Sequence, residues 1–155
     1  MIDLELQTPA ATIDFGEMAE MLGFLVRIVQ VRNFDDFYEK FGDTGLKTGE
    51  FSVLHTIGLN PGIRQGALAA AMHVKPASMT KLVRQMEDKG LVRREIPDED
   101  RRSVLLFITR QGEKFVADNR DAFFGTEREQ TLLLGMTEQE RRTLARLLRR
   151  YAGID

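Results

Sequence analysis

The chain has 155 residues, 43% hydrophobic and 30% charged, an ordinary balance for one folded domain or a domain with an added oligomerisation module. It contains no cysteine, which excludes a disulfide framework, thiolate catalysis, a Cys-ligated metal and a thiol redox switch. No apolar run approaches the roughly 18 residues of a membrane helix. Met1 to Thr12 carries Asp3 and Glu5 but no basic residue, unlike a secretory signal, so the expected compartment is the cytoplasm, without a membrane partner. The net charge of −2 is unevenly spread. Residues 1–63 hold 4 basic and 10 acidic residues, 64–102 hold 9 and 6, and 103–155 hold 9 and 8. The only clearly positive segment is the middle one, and its excess is modest enough to predict weak, salt-sensitive non-specific affinity for nucleic acid.

The first long helix is expected from about Phe15 to Phe41, because Phe15, Met18, Leu22, Leu25 and Val29 recur at steps of three and four. Met21, Ile28 and Val31 widen that stripe beyond what one neighbour would cover. Gly42-Asp43 and Gly45 break it. Thr48 is expected to cap a second helix carrying Phe51, Leu54 and Ile57, which Asn60-Pro61-Gly62 ends. A short helix over Arg64–Met72 and a tight turn follow. The next helix, 76–89, starts with Pro76 at a favourable first position and is closed by Gly90.

Two β-branched, apolar-rich runs, 91–96 and 103–108, flank a charged tip, Pro97-Asp98-Glu99-Asp100-Arg101-Arg102, and read as an antiparallel hairpin with a six-residue loop. Thr109 begins another long helix towards Leu134. Thr137 and Glu140 have the spacing of a capping box for a last helix carrying Leu144, Leu147, Leu148 and Tyr151.

Short helix, turn, helix and hairpin in that order make a winged helix-turn-helix. The expected fold is therefore mostly α with a small β-hairpin wing, an α+β arrangement with long helices before and after the central lobe. Those flanking helices have more apolar surface than the lobe needs, which is economically explained by interlocking with a second copy. A two-fold dimer would present two reading helices to a palindromic DNA site, with half-sites about 34–36 Å apart or a multiple.

At about 100° per residue, Met79, Leu82, Val83 and Met86 share one face of helix 76–89 and Ala77, Lys81 and Arg84 lie opposite. Lys81 and Arg84 suit guanine acceptors or phosphates, while Ser78 and Thr80 suit phosphates or base edges. The other readings are a solvated face for the two cations and local backbone bonding for Ser78. Arg64, Gln65 and Lys75 join the candidate DNA contacts at the two helix starts. In the tip, Arg101 and Arg102 can reach a minor groove while Asp98 and Asp100 brace the turn, unless the four simply pair on the surface.

For a small-molecule effector the candidates are Phe51 and, one turn on, His55, against the plainer account of a packed or surface histidine. Phe34, Phe37, Phe41, Phe123 and Phe124 can line an aromatic cavity or simply form core and interface. Two histidines without cysteine argue against a metal site, and no cofactor is expected. A Gly-x-Ser-x-Gly elbow, a phosphate loop and a dinucleotide fingerprint are all missing, so an enzyme is not expected.

The segments Gly62-Ile63-Arg64-Gln65-Gly66-Ala67-Leu68-Ala69, Ser78-Met79-Thr80-Lys81-Leu82-Val83 and Met86-Glu87-Asp88-Lys89-Gly90-Leu91-Val92-Arg93-Arg94 stand before the tip Asp98-Glu99-Asp100-Arg101-Arg102. With Leu106-Phe107-Ile108-Thr109-Arg110-Gln111-Gly112 they closely resemble the MarR family of transcription regulators over about residues 61–115. The resemblance implies a single domain over 1–155, with dimerisation helices at about 13–42 and 110–152 around a winged helix-turn-helix at about 46–109. Within it, 76–89 would be the recognition helix and 92–108 the wing. It also implies a homodimeric repressor on a pseudo-palindromic operator, released by a small, often aromatic or phenolic, ligand. Many members carry Ser or Thr where Arg64 stands, so Arg64 is expected to meet phosphate instead of capping. The branch that senses oxidants through cysteine is excluded. The competing expectation is a winged-helix protein-interaction scaffold without sequence-specific DNA binding.

Overall fold

A computed structural model describes residues 13–42, 47 and 49–154, which divide into two compact units on either side of Thr48/Gly49. The first unit contains a 3-10 turn, Gly16–Glu20, and helix α1, Leu22–Phe41. The helix thus starts seven residues later than the apolar spacing predicts. Gly16, the first residue of the turn, sits at φ +52°, and extended Met21 separates the turn from the helix. Along α1, Leu22, Leu25, Val26, Ile28, Val29 and Val31 are all exposed.

The second unit holds α2 (Glu50–Leu59), β1 (Ile63–Arg64), α3 (Gln65–Ala71), α4 (Pro76–Asp88), β2 (Val92–Glu95), β3 (Leu105–Ile108), α5 (Arg110–Leu133) and α6 (Glu138–Ala152). The Thr48 cap expected for α2 lies outside the described residues. Gly49, left-handed at φ +85°, stands immediately before the helix. Arg64 does not open α3 but is extended, pairing with Leu105, so the sheet gains a third strand that the two-strand reading lacked. The order is β1-β3-β2, all antiparallel, with Val92 opposite Ile108 and Glu95 opposite Leu105. Each wing strand is four residues, so the connection is residues 96–104 instead of a six-residue tip.

The core of this unit is built from one face of each element. Leu54 and Ile57 of α2, Leu68 of α3, Met79, Val83 and Met86 of α4 and Leu106 of β3 are fully buried together. The face chosen on α4 is the one its 3.6-residue periodicity predicts, with Leu82 packed at its margin. Between α3 and α4 the chain turns at His73, at φ +52°, where Val74 N–H donates to Ala69 C=O at 2.9 Å. Thr137 and Glu140 form the expected capping box at the start of α6, with Glu140 N–H donating to Thr137 Oγ1 at 3.2 Å. No residue of α6 is buried, and Leu144, Leu147, Leu148 and Tyr151 all remain exposed.

Helix α5 is joined tightly to the end of α4. Thr109 Oγ1 donates to Gly90 C=O at 2.6 Å and accepts from Gly112 N–H at 3.0 Å, which caps α5 while holding it to the turn after α4. Gly112 is buried at the crossing, where a Cβ would run into the Leu91 carbonyl oxygen and stand 2.7 Å from Ile108 Cγ1. Gly112→Ala is therefore expected to cost about 1–3 kcal/mol through overpacking, read as a lower urea midpoint. An unchanged midpoint would contradict this packing.

Candidate nucleic-acid interface

Burial of Met79, Val83 and Met86 leaves the opposite side of α4 facing out, and Ala77, Ser78, Lys81 and Arg84 are all exposed there. Lys81 and Arg84 make no ion pair among the described residues. Lys75 is the exposed N-cap residue of α4 and contributes no side-chain capping bond. The first turn of α4 therefore presents free amide donors beside small side chains, an arrangement suited to phosphate.

Two candidates behave differently. Thr80 Oγ1 donates to Pro76 C=O at 2.9 Å and accepts from Gln65 Nε2 at 2.9 Å. Both are half-buried, and their polar groups are turned to each other across the α3–α4 joint. Neither is presented outward in the way Lys81 and Arg84 are.

The wing tip is held from its base. Asp100 Oδ2 accepts from Ser103 Oγ at 2.6 Å, and Oδ1 accepts from Arg102 N–H at 3.3 Å. Arg64 Nη1 stands 3.5 Å from Asp100 Oδ2, tying β1 to the tip. The Ser103 hydroxyl, then the Arg102 amide and the Arg64 charge, hold the Asp100 carboxyl below its ordinary value. Because the shift is downward, this bracing is complete above the usual carboxylate range and fades as pH falls through it. Asp98 is exposed and stands outside the network, while Arg101 and Arg102 side chains extend freely from the tip.

Other ties were illegible in sequence. Glu50, the first residue of α2, is 1% exposed, and its Oε1 accepts from Lys89 Nζ at 2.8 Å. Lys89 also terminates α4, and its carbonyl accepts from Gln111 Nε2 at 3.2 Å. Arg94 Nε donates to Glu87 Oε2 at 2.7 Å, joining β2 to the last turn of α4. No local pattern predicts a bond between residues 39 positions apart, whereas the Asp100–Ser103 spacing was a readable turn signal.

The proposed effector residues fall in an aromatic cluster joining α2 to α5. Phe51 stacks on Phe123 with centroids 4.2 Å apart, which fills the space over its ring. His55 meets Phe124 edge-on at 5.5 Å, and the Arg120 guanidinium lies 5.6 Å over Phe124. Phe51 is thus buried packing, while half-buried His55 and exposed Phe124 form the accessible rim. Phe37 and Phe41 stack on each other within α1, at 5.0 Å.

The model of the MarR family matches residues 46–104. A putative transcriptional regulatory protein for the hcr operon of Thauera aromatica is 36% identical over 141 residues, spanning 90% of this chain and 84% of that relative. The chain belongs to the MarR family. It is a winged-helix transcription regulator, not an enzyme. Escherichia coli O111:H- HosA, a transcriptional regulator, is 37% identical over 68 residues, 44% of this MarR-family chain and 50% of HosA. Among solved structures, the transcriptional repressor CouR bound to a 23-mer DNA duplex is 29% identical, with a TM-score of 0.79 over 92% of this chain and 99% of CouR. MarR itself is 27% identical, with a TM-score of 0.75 over 92% and 94% of the two chains. Among the described residues of this MarR-family regulator, no helix is long and apolar enough to cross a membrane and no group of acidic or histidine side chains is placed to hold a metal ion.

The Glu50–Lys89 pair sets a stability expectation. Lys89→Met removes a charged partner from a buried carboxylate and should cost about 1–3 kcal/mol, the loss being tempered because the lysine is 45% exposed. Pairing it with Glu50→Gln should recover part of the loss in urea denaturation. An unaffected Lys89→Met midpoint would remove the pair from the account of how α4 is held.

Proposed function

We propose that this regulator is a homodimeric repressor that binds a pseudo-palindromic operator in double-stranded DNA and leaves it when a small aromatic or phenolic ligand binds. The observation that carries this reading is the outward face of α4, where Lys81 and Arg84 stand exposed and unpaired among the described residues, backed by the fully buried Met79, Val83 and Met86. The CouR structure, in which a repressor of this fold is bound to a duplex, supports the same mode of use.

In this reading α4 enters the major groove. Lys81 and Arg84 reach guanine edges or phosphates, and Ser78 and the free amides of the first turn meet the backbone. Lys75 and Arg64 contribute phosphate contacts, and Arg101 and Arg102 lie along the adjoining minor groove with Asp100 keeping the tip in shape. No cofactor takes part, and the setting is the cytoplasm.

Residues 13–42 and 110–152 would supply the dimer contacts around the winged helix-turn-helix of 46–109, in one MarR-like domain. Supporting this, Leu22, Leu25 and Val29 in α1 and Leu144, Leu147 and Leu148 in α6 are each exposed in the single chain, a quantity of apolar surface that water disfavours. The ligand reading rests on the rim formed by His55, Phe124 and Arg120, an aromatic edge beside a cation, which suits an aromatic anion.

On a duplex that the wild-type protein selects, Lys81→Ala and Arg84→Ala are expected to weaken binding by about 1–3 kcal/mol for a base contact and less for a phosphate contact. Fluorescence anisotropy reads both. Unchanged binding by both variants would take α4 out of the interface and favour the protein-scaffold alternative. Arg102→Ala should cost most where the flank is A·T-rich, since a narrow minor groove concentrates negative potential; equal loss on every flank contradicts that placement. Sedimentation equilibrium of the free protein is expected to give twice the chain mass, and a monomer at micromolar concentration would overturn the dimer.

A further inference from the structure

We infer that Gln65 and Thr80 are positioning residues that set the angle of the reading helix, and that neither contacts DNA. The inference rests on the proposed DNA-reading role and reassigns two residues that sequence alone places at the interface. Four observations carry it. Gln65 Nε2 donates to Thr80 Oγ1 at 2.9 Å across the α3–α4 joint, so the amide nitrogen is already engaged. Thr80 Oγ1 in turn donates to Pro76 C=O at 2.9 Å, which spends its only proton inside α4. The other carboxamide atom, Gln65 Oε1, is buried without a hydrogen-bond partner among the described residues and is therefore closed off from a duplex laid on the outer side of α4. Finally, Gln65 N–H donates to Val104 C=O at 2.8 Å, at the base of the wing.

Two adjacent residues therefore connect three parts. The Gln65 backbone holds the strand leading into β3, its side chain holds the second turn of α4, and Arg64 beside it reaches the wing tip through Asp100. If α4 lies in a major groove and Arg101 and Arg102 in the neighbouring minor groove, Gln65 fixes how far apart those two readers stand. A side chain in that position governs every base pair under α4 at once. A side chain touching a base governs one, and a neutral side chain touching a phosphate governs none and supports every sequence alike.

The test uses the full chain and four variants, Thr80→Val, Thr80→Ser, Gln65→Met and the double Thr80→Val/Gln65→Met. Each is titrated against the selected duplex, against single base-pair changes through one half-site, against unrelated duplex, and over a salt series, with Tm recorded. Thr80→Val and Gln65→Met are each expected to lower affinity for the selected site about 5–30-fold, and to flatten discrimination at several base pairs together. Affinity for unrelated duplex and the salt slope should stay at the wild-type values. The double variant should be no worse than the weaker single one, because both break the same bond, and Thr80→Ser, which keeps the hydroxyl, should lie within about twofold of wild type.

Relaxed discrimination at one base pair only would overturn the inference in favour of a base contact. An equal loss of affinity for selected and unrelated duplex would overturn it in favour of a phosphate contact, because a neutral side chain bonded to phosphate supports every sequence alike. Wild-type binding by both Gln65→Met and Thr80→Val would show the bond to be idle. Should Thr80→Val fail to fold by its Tm, Gln65→Met and Thr80→Ser carry the same comparison. The wild-type protein is titrated first. Equal affinity for selected and unrelated duplex at that stage overturns the DNA-reading role itself, a result distinct from any variant outcome.

Discussion

The burial of one face of α4 is the constraint on which the remaining geometry depends. Met79, Val83 and Met86 have no exposure, and they meet Leu54 and Ile57 of α2, Leu68 of α3 and Leu106 of β3 in one cluster. Close packing of that kind leaves a helix little freedom to roll, because a rotation exposes apolar surface and opens voids together. Lys81 and Arg84 then face outward as a consequence. The polar ties refine what the core establishes: Gln65 near the start of α4, Glu87 and Lys89 near its end, and Thr109 and Gln111 beyond it.

Bonds of this sort contribute modestly to stability, yet they discriminate between nearly equivalent packings. A buried carboxylate such as Glu50 is a poor source of net stability, since desolvation offsets much of its attraction to Lys89. What the pair does is penalise any arrangement in which α4 ends elsewhere. The wing follows the same pattern, for Asp100 engages Ser103, the Arg102 amide and Arg64 and so leaves the Arg101 and Arg102 side chains free beyond a shaped tip. Shape and charge are thereby separated: acidic residues organise the scaffold while the outward cations remain available.

Much of this was legible in the chain. The faces of α4 follow from the period of 3.6, the α6 cap from Thr137 and Glu140, the wing from two β-branched runs around a charged tip, and the family from the combined motifs. Features that depend on distant residues were not. The strand at Ile63–Arg64 is too short to have a pattern and exists because Leu105 and Leu106 offer an open edge. Thr80 has the composition of a DNA contact, and only the fold reveals that Gln65, fifteen residues earlier, occupies its hydroxyl. The early start expected for α1 failed on backbone conformation at Gly16 and Met21, which apolar spacing does not sense. Phe51 and Phe123, separated by 72 positions, stack because α2 packs on α5.

Exposed apolar residues on α1 and α6 and exposed cations on α4 and the wing tip belong to one proposal, a paired molecule that reads two copies of a short DNA sequence. Selection of bound duplexes from a random pool at physiological salt tests it most directly. The account predicts enrichment of a single inverted repeat whose half-site centres lie about one helical turn, 34–36 Å, or a multiple apart. Enrichment of an unrepeated sequence, or of none, would contradict it.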